Sequence, residues 1–134
     1  MVNTHRQLQQ AMSFFQAGDL SSAEMICQKV LTLAPNQADA LHLLALIYKQ
    51  KKQYPLAEKY FSASIKNSKQ ANFFLNFANF YAQTNRAQLA ASNYEQAFKL
   101  APSNLDVLYN WSLTLNLLGK YQSAIEPELY LCSQ

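Results

Sequence analysis

Only two glycines and four prolines interrupt the 134 residues, and 14% of the chain is charged. So few breakers, among many Ala, Leu, Gln and Asn, favour helix over sheet. Cysteine is equally sparse. Cys27 and Cys132 lie far apart and form no C-x-x-C pair, which excludes a zinc site and a disulfide framework; Cys27 falls on an apolar stripe and is expected in the core. No run of eighteen apolar residues occurs, and the N-terminal MVNTHRQLQQAMSFF lacks an uninterrupted apolar stretch. A cytoplasmic protein with no membrane partner is therefore expected. Eleven basic and eight acidic residues leave a net charge of +3, too weak and too dispersed to imply a nucleic-acid partner.

Chemistry-bearing patterns are missing as well. No nucleophile motif, phosphate loop or paired His–carboxylate pattern occurs, and His5 and His42 lack metal-ligand spacing. Neither catalysis, cofactor nor metal is expected. Length bounds the rest: 134 residues bury one core and are too few for two ordinary domains.

What is present is repetition. LTLAPNQADAL at 31–41 returns as FKLAPSNLDVL at 98–108, placing Pro35 and Pro102 sixty-seven residues apart, one short of two periods of thirty-four. The preceding segments match too: Ala23, Cys27 and Val30 recur as Ala90, Tyr94 and Ala97, a single helical stripe with a close-contact site. KQYPLAEKYFSASI at 52–65 carries Ala57, Phe61 and Ser64 at the same offsets, and GKYQSAI at 119–125 begins a fourth copy. The turn NSKQAN has lost the proline and one residue, which accounts for the short spacing.

Each unit holds two helices, the first at 4–17, 37–50, 71–84 and 104–118, the second at 20–33, 54–68, 87–100 and 121–131. Asn36-x-x-Asp39 and Ser103-x-x-Asp106 read as an N-cap followed by an acid in the first turn, and Pro55 suits the start of its helix.

With these residues in place the chain resembles the tetratricopeptide repeat family over nearly its whole length. The resemblance is carried by Ala11, Ala45, Ala78 and Ser112 in the first helices, and by Ala23, Ala57, Ala90 and Ala124 in the second. Gly18 and Gly119 stand in the turn within a repeat, and Pro35 and Pro102 close repeats. The large aromatic common early in the first helix is replaced by Gln7, Leu41, Phe74 and Leu108. The implied fold is an all-α solenoid of antiparallel helix pairs with a right-handed superhelical twist. One domain is expected, its repeats at 4–37, 38–70, 71–104 and an incomplete 105–134. Each pair buries its apolar face only against its neighbours. Phe73, Phe74, Phe77, Phe80 and Tyr81 follow helical spacing and are expected in that core.

Beside this aromatic face runs a row of amides: Asn72, Asn76, Asn79 and Gln83, continued by Asn110 and Asn116. Asn inside a helix costs roughly 0.5–0.7 kcal/mol against Ala, and an amide both donates and accepts, so a row can hold a peptide backbone without demanding its sequence. The resemblance implies that first helices line a concave groove. LNFANFYAQ and YNWSLTLNLLG are similar to repeats of the protein O-linked N-acetylglucosamine transferases, which carry an asparagine ladder there; Asn76 and Asn110 match its position, whereas earlier repeats have Gln9 and Leu43. With Leu75, Tyr109 and Leu113 supplying apolar contact, the expected function is non-catalytic binding of an extended segment of a protein partner.

The positions that hold a C-terminal carboxylate in chaperone-binding relatives carry Leu8, Met12, Leu43, Asn72 and Asn76, without the cations such a clamp requires. Six lysines, Lys49, Lys51, Lys52, Lys59, Lys66 and Lys69, gather in the second repeat, where a solvated face is the default and an acidic partner the alternative. Pro127 kinks or shortens the last helix, leaving Trp111, Leu115 and Leu118 less covered. From that follow two further expectations: a homodimer through the C-terminal repeat, or a longer protein in which the array recruits substrate for a transferase.

Overall fold

The computed structural model describes residues 4–119. Among these are seven α-helices and no strand: α1 (Thr4–Gln16), α2 (Leu20–Leu33), α3 (Ala38–Gln50), α4 (Tyr54–Asn67), α5 (Ala71–Gln83), α6 (Ala87–Leu100) and α7 (Leu105–Leu117). They match the expected segments to within a residue at either end. The segment 121–131, with Ala124 and Pro127, lies outside the described residues.

Two compact units divide the chain between Lys69 and Gln70. In the first, α1 pairs with α2 and α3 with α4, while α2 packs on α3. In the second, α5 pairs with α6, and α7 packs against α6 and the edge of α5.

The small residues do what their spacing implies. Ala11, Ala23, Ala45, Ala57, Ala78 and Ala90 have no exposed surface, so the helices approach at positions with nothing beyond Cβ. Ser112 takes this place on α7 and is also buried, its hydroxyl without a hydrogen-bond partner among the described residues. The five aromatic residues of α5 fill the core around Ala78, with the Phe77 and Tyr81 rings stacked 4.4 Å apart. Cys27 is fully buried, and burial pushes its thiol up to about 12.

All four first helices end in the same way. Gly18, Lys52, Asn85 and Gly119 have positive φ. In the first three turns the left-handed residue donates to the carbonyl three back and the next residue to the one five back, as in Gly18 N to Phe15 O at 3.0 Å and Asp19 N to Phe14 O at 2.8 Å. This pair of bonds satisfies carbonyls that the helix end leaves over and turns the chain back in three residues. Glycine marks two of these sites in the sequence; Lys52 and Asn85 adopt the same conformation without it.

Helix starts differ from expectation by one position. The caps are Gln37, whose side chain accepts from Ala40 N at 2.8 Å, and Asn104, which accepts from Asp106 N at 3.0 Å; Asn36 and Ser103 stand one residue too early. Asp39 and Asp106 do occupy first turns. The connection before α5 has three residues, against four before α3 and α7, which locates the missing residue of the second repeat.

A polar cluster ties α2 to α3. Glu24 accepts from the Tyr48 hydroxyl at 2.7 Å and is ion-paired with Lys51, which holds its carboxyl below the usual range. Tyr48 stacks on Tyr60 at 5.5 Å, and the Lys59 ammonium lies over the Tyr60 ring. With Lys69 donating to the Ile65 carbonyl and Lys49 half-buried, four of the six clustered lysines already have neighbours within unit 1.

Two outcomes follow from these local features. His42 is buried edge-on to Phe61, and burial lowers its imidazole to about 4 from the ordinary 6.5. Between those values the unfolded chain binds a proton that the folded chain does not. This contribution is complete above pH 6.5 and falls away as pH drops to about 4, by about 3 kcal/mol. Urea unfolding across that range should show the loss, and His42→Leu should flatten it. Lys52→Gly, which relieves a left-handed Lys, should raise the urea midpoint by the equivalent of roughly 0.5–1 kcal/mol.

Candidate functional site

Every residue expected to line the groove lies in the second unit, on α5 or α7. On α5 the aromatic residues claim the core side, and helical geometry then places Asn72, Leu75, Asn76, Asn79 and Gln83 together on the opposite side. None of the five is buried: Asn72 and Gln83 are exposed, and Leu75, Asn76 and Asn79 are half-buried. On α7, Val107, Leu108, Ser112, Thr114 and Leu115 face inward. Tyr109, Leu113 and Asn116 are exposed, and Asn110 is half-buried at the edge of that side.

The two rows meet at Asn79. Its Oδ1 accepts from the Tyr94 hydroxyl of α6 and, at 3.5 Å, from Asn110 Nδ2. Tyr94 is almost wholly buried, and burial pushes its phenol up to about 12. The Thr114 hydroxyl is a second neighbour of that phenol and donates to the Asn110 carbonyl at 2.9 Å. Asn79 therefore satisfies a buried hydroxyl from below while joining α5 to α7. Its oxygen is already engaged inside the protein, as is the Asn110 amide nitrogen that donates to it, and the exposed amides of the row are those of Asn72, Gln83 and Asn116.

Sequence reasoning missed Tyr94 and Thr114 as the support of this row. A signal existed, because a tyrosine on a buried stripe needs a partner for its hydroxyl, but the partner's identity depends on how α6 meets α5. Leu117 was missed too, and is the most exposed apolar residue of α7 at 80%. Of the residues expected to be less covered, Trp111 and Leu118 are half-buried and only Leu115 is sealed in the core. Trp111 packs on Phe98 at 5.4 Å. The exposed row comprises Leu105, Tyr109, Leu113 and Leu117, of which Tyr109 and Leu113 were expected.

At the C-terminal end of α5, the Arg86 guanidinium lies over two rings, 4.7 Å from the Tyr81 ring centre and 5.8 Å from that of Phe80, a cation–π contact with the aromatic core. No group of three or more His, Cys, Asp or Glu side chains among the described residues could hold a metal, and no described helix is long and apolar enough to cross a membrane.

Two tetratricopeptide repeat family models match the sequence, one over residues 14–73 and one over residues 75–132. No curated protein matches it. Among solved structures, YrrB, described as a TPR protein with an unusual peptide-binding site, has a TM-score of 0.86 at 16% identity, covering 98% of this chain and 69% of its own. Pseudomonas aeruginosa pilF gives 0.85 at 23% identity, over 96% of this chain and 60% of its own. A variant of the Thermobaculum terrenum O-GlcNAc transferase gives 0.77 at 22% identity over 86% of this chain, which spans only 23% of that protein. At these identities the likeness is one of fold, an all-α solenoid of helix pairs.

The Asn79 contact makes a measurable demand. Asn79→Ala leaves the Tyr94 hydroxyl buried without its acceptor and should cost about 1–3 kcal/mol in urea unfolding. In a Tyr94→Phe background the same substitution should cost much less, and the double-mutant cycle gives the coupling.

Proposed function

This chain belongs to the tetratricopeptide repeat family, and on that premise we propose that it binds an extended segment of a protein partner on the α5–α7 face, without catalysis of its own. Repeats of this family make protein-interaction modules, and the amide row supports the more specific reading. Besides Asn79, five amide side chains share the outward side of α5 and the adjoining edge and end of α7, in helices where Asn is otherwise a poor choice. Each offers both a donor and an acceptor, the pattern that main-chain N–H and C=O groups require. Tyr109, Leu75 and Leu113 supply apolar contact beside them.

A second reading draws on the likeness of LNFANFYAQ and YNWSLTLNLLG to transferase repeats. In it the same face recruits substrate for an attached catalytic domain. A catalytic domain encoded after Gln134 in the natural reading frame would mark this version, and a stop codon there would remove it.

The groove reading is tested by capture from a lysate of the source organism, using wild type and an Asn76→Ala/Asn110→Ala variant of matched thermal stability. Proteins held by wild type and lost by the variant are the expected result. Equal retention by both would move binding to the lysine-rich second repeat or another surface.

A further inference from the structure

The amide row says how a backbone is held; the neighbouring residues say what that backbone carries. Across α5 and α7 the single charged residue is Asp106, in the first turn of α7, where the helix dipole favours an acid. On α7 the outward row turns from amide to carbon. Tyr109, Leu113 and Leu117 recur every four residues and are 61%, 46% and 80% exposed. Scattered apolar side chains on a surface need no explanation, but a row on one side of one helix, beside groups suited to main-chain hydrogen bonds, marks a contact surface.

Charge decides between occupants. An acidic segment laid here would lose hydration without meeting an opposite charge, and a basic one would meet only the exposed Asp106, whose carboxylate the positive end of α7 already offsets. A neutral segment loses nothing of that kind and gains burial of apolar surface. In an extended chain alternate side chains point the same way, so every second residue can face α7 while main-chain groups face the amides.

We infer that the segment taken by this face is neutral and apolar-bearing, its backbone held by the α5 amides and its apolar side chains seated on Tyr109, Leu113 and Leu117. This rests on the groove reading above, and the experiment separates the two.

The probe is a phage-displayed library of random dodecapeptides selected on the full chain, followed by fluorescence titration with synthetic peptides from the enriched set. Leu113→Ser/Leu117→Ser and Asn76→Ala/Asn110→Ala variants are titrated in parallel, each checked for unchanged helicity and thermal midpoint. Enriched peptides should be neutral, with apolar residues at alternate positions. Binding should weaken roughly tenfold or more in the leucine variant and change less than about twofold between about 0.05 M and 0.5 M salt. Charged enriched peptides, strong salt dependence, or full affinity in the leucine variant alongside loss in the asparagine variant would overturn this inference and leave the groove reading standing. Peptides indifferent to both variants, or no enrichment at all, would overturn both. Wild-type self-association that the leucine substitutions abolish would assign the row to a second copy of the chain and equally defeat it.

Discussion

Close approach of helices at positions with no side chain beyond Cβ is the constraint from which the rest of the molecule follows. Ala11, Ala23, Ala45, Ala57, Ala78 and Ala90 are all sealed from solvent; a larger residue at any of them would push two helices apart and open voids along the contact. Because the helices are close, α3 is buried on nearly every side, whereas α5 commits one side to the core and leaves the other for water or a partner. In α5 that division is sharp, with aromatic rings inward and amides outward. With its inward side filled by rings, packing alone leaves the outward side of α5 to polar residues.

The turns within repeats set where that division falls. Left-handed residues at 18, 52, 85 and 119 stop the first helix at an equivalent point in each repeat, so equivalent residues reappear on equivalent sides although the sequences share few identities. The one-residue deficit lies in the connection before α5, outside these turns, and so shifts the numbering without altering the helix pairs.

Most of this was legible in the sequence because it follows from periodicity: helix limits, the small-residue positions, the aromatic core of α5 and the outward placement of Asn72, Asn76 and Gln83. What was not legible depends on contacts between helices. The caps fall one residue beyond the sequence-based expectation, since Asn36 is by type a better capper than Gln37 and Ser103 as good a one as Asn104, and only the path of the turn selects between neighbours. Asn79 looked like any other member of the amide row until Tyr94 was seen to donate to its oxygen. Tyr109 and Leu113 stand outward as expected, but Leu105 and Leu117 escape the sequence reading and Leu115 is buried, because α7 is apolar on nearly every side and periodicity alone does not say which part meets water.

Cys27 illustrates another property of a core assembled this way. Its thiol has no exposed surface, and burial holds it protonated to about pH 12, so in the folded chain it is neither reachable by reagents nor present as the reactive anion. Its chemistry is governed by the opening rate of the first unit rather than by its own nucleophilicity. Oxidative damage at this position would therefore accumulate as a clock of transient unfolding, ticking fastest in whichever molecules lose their helix contacts most often.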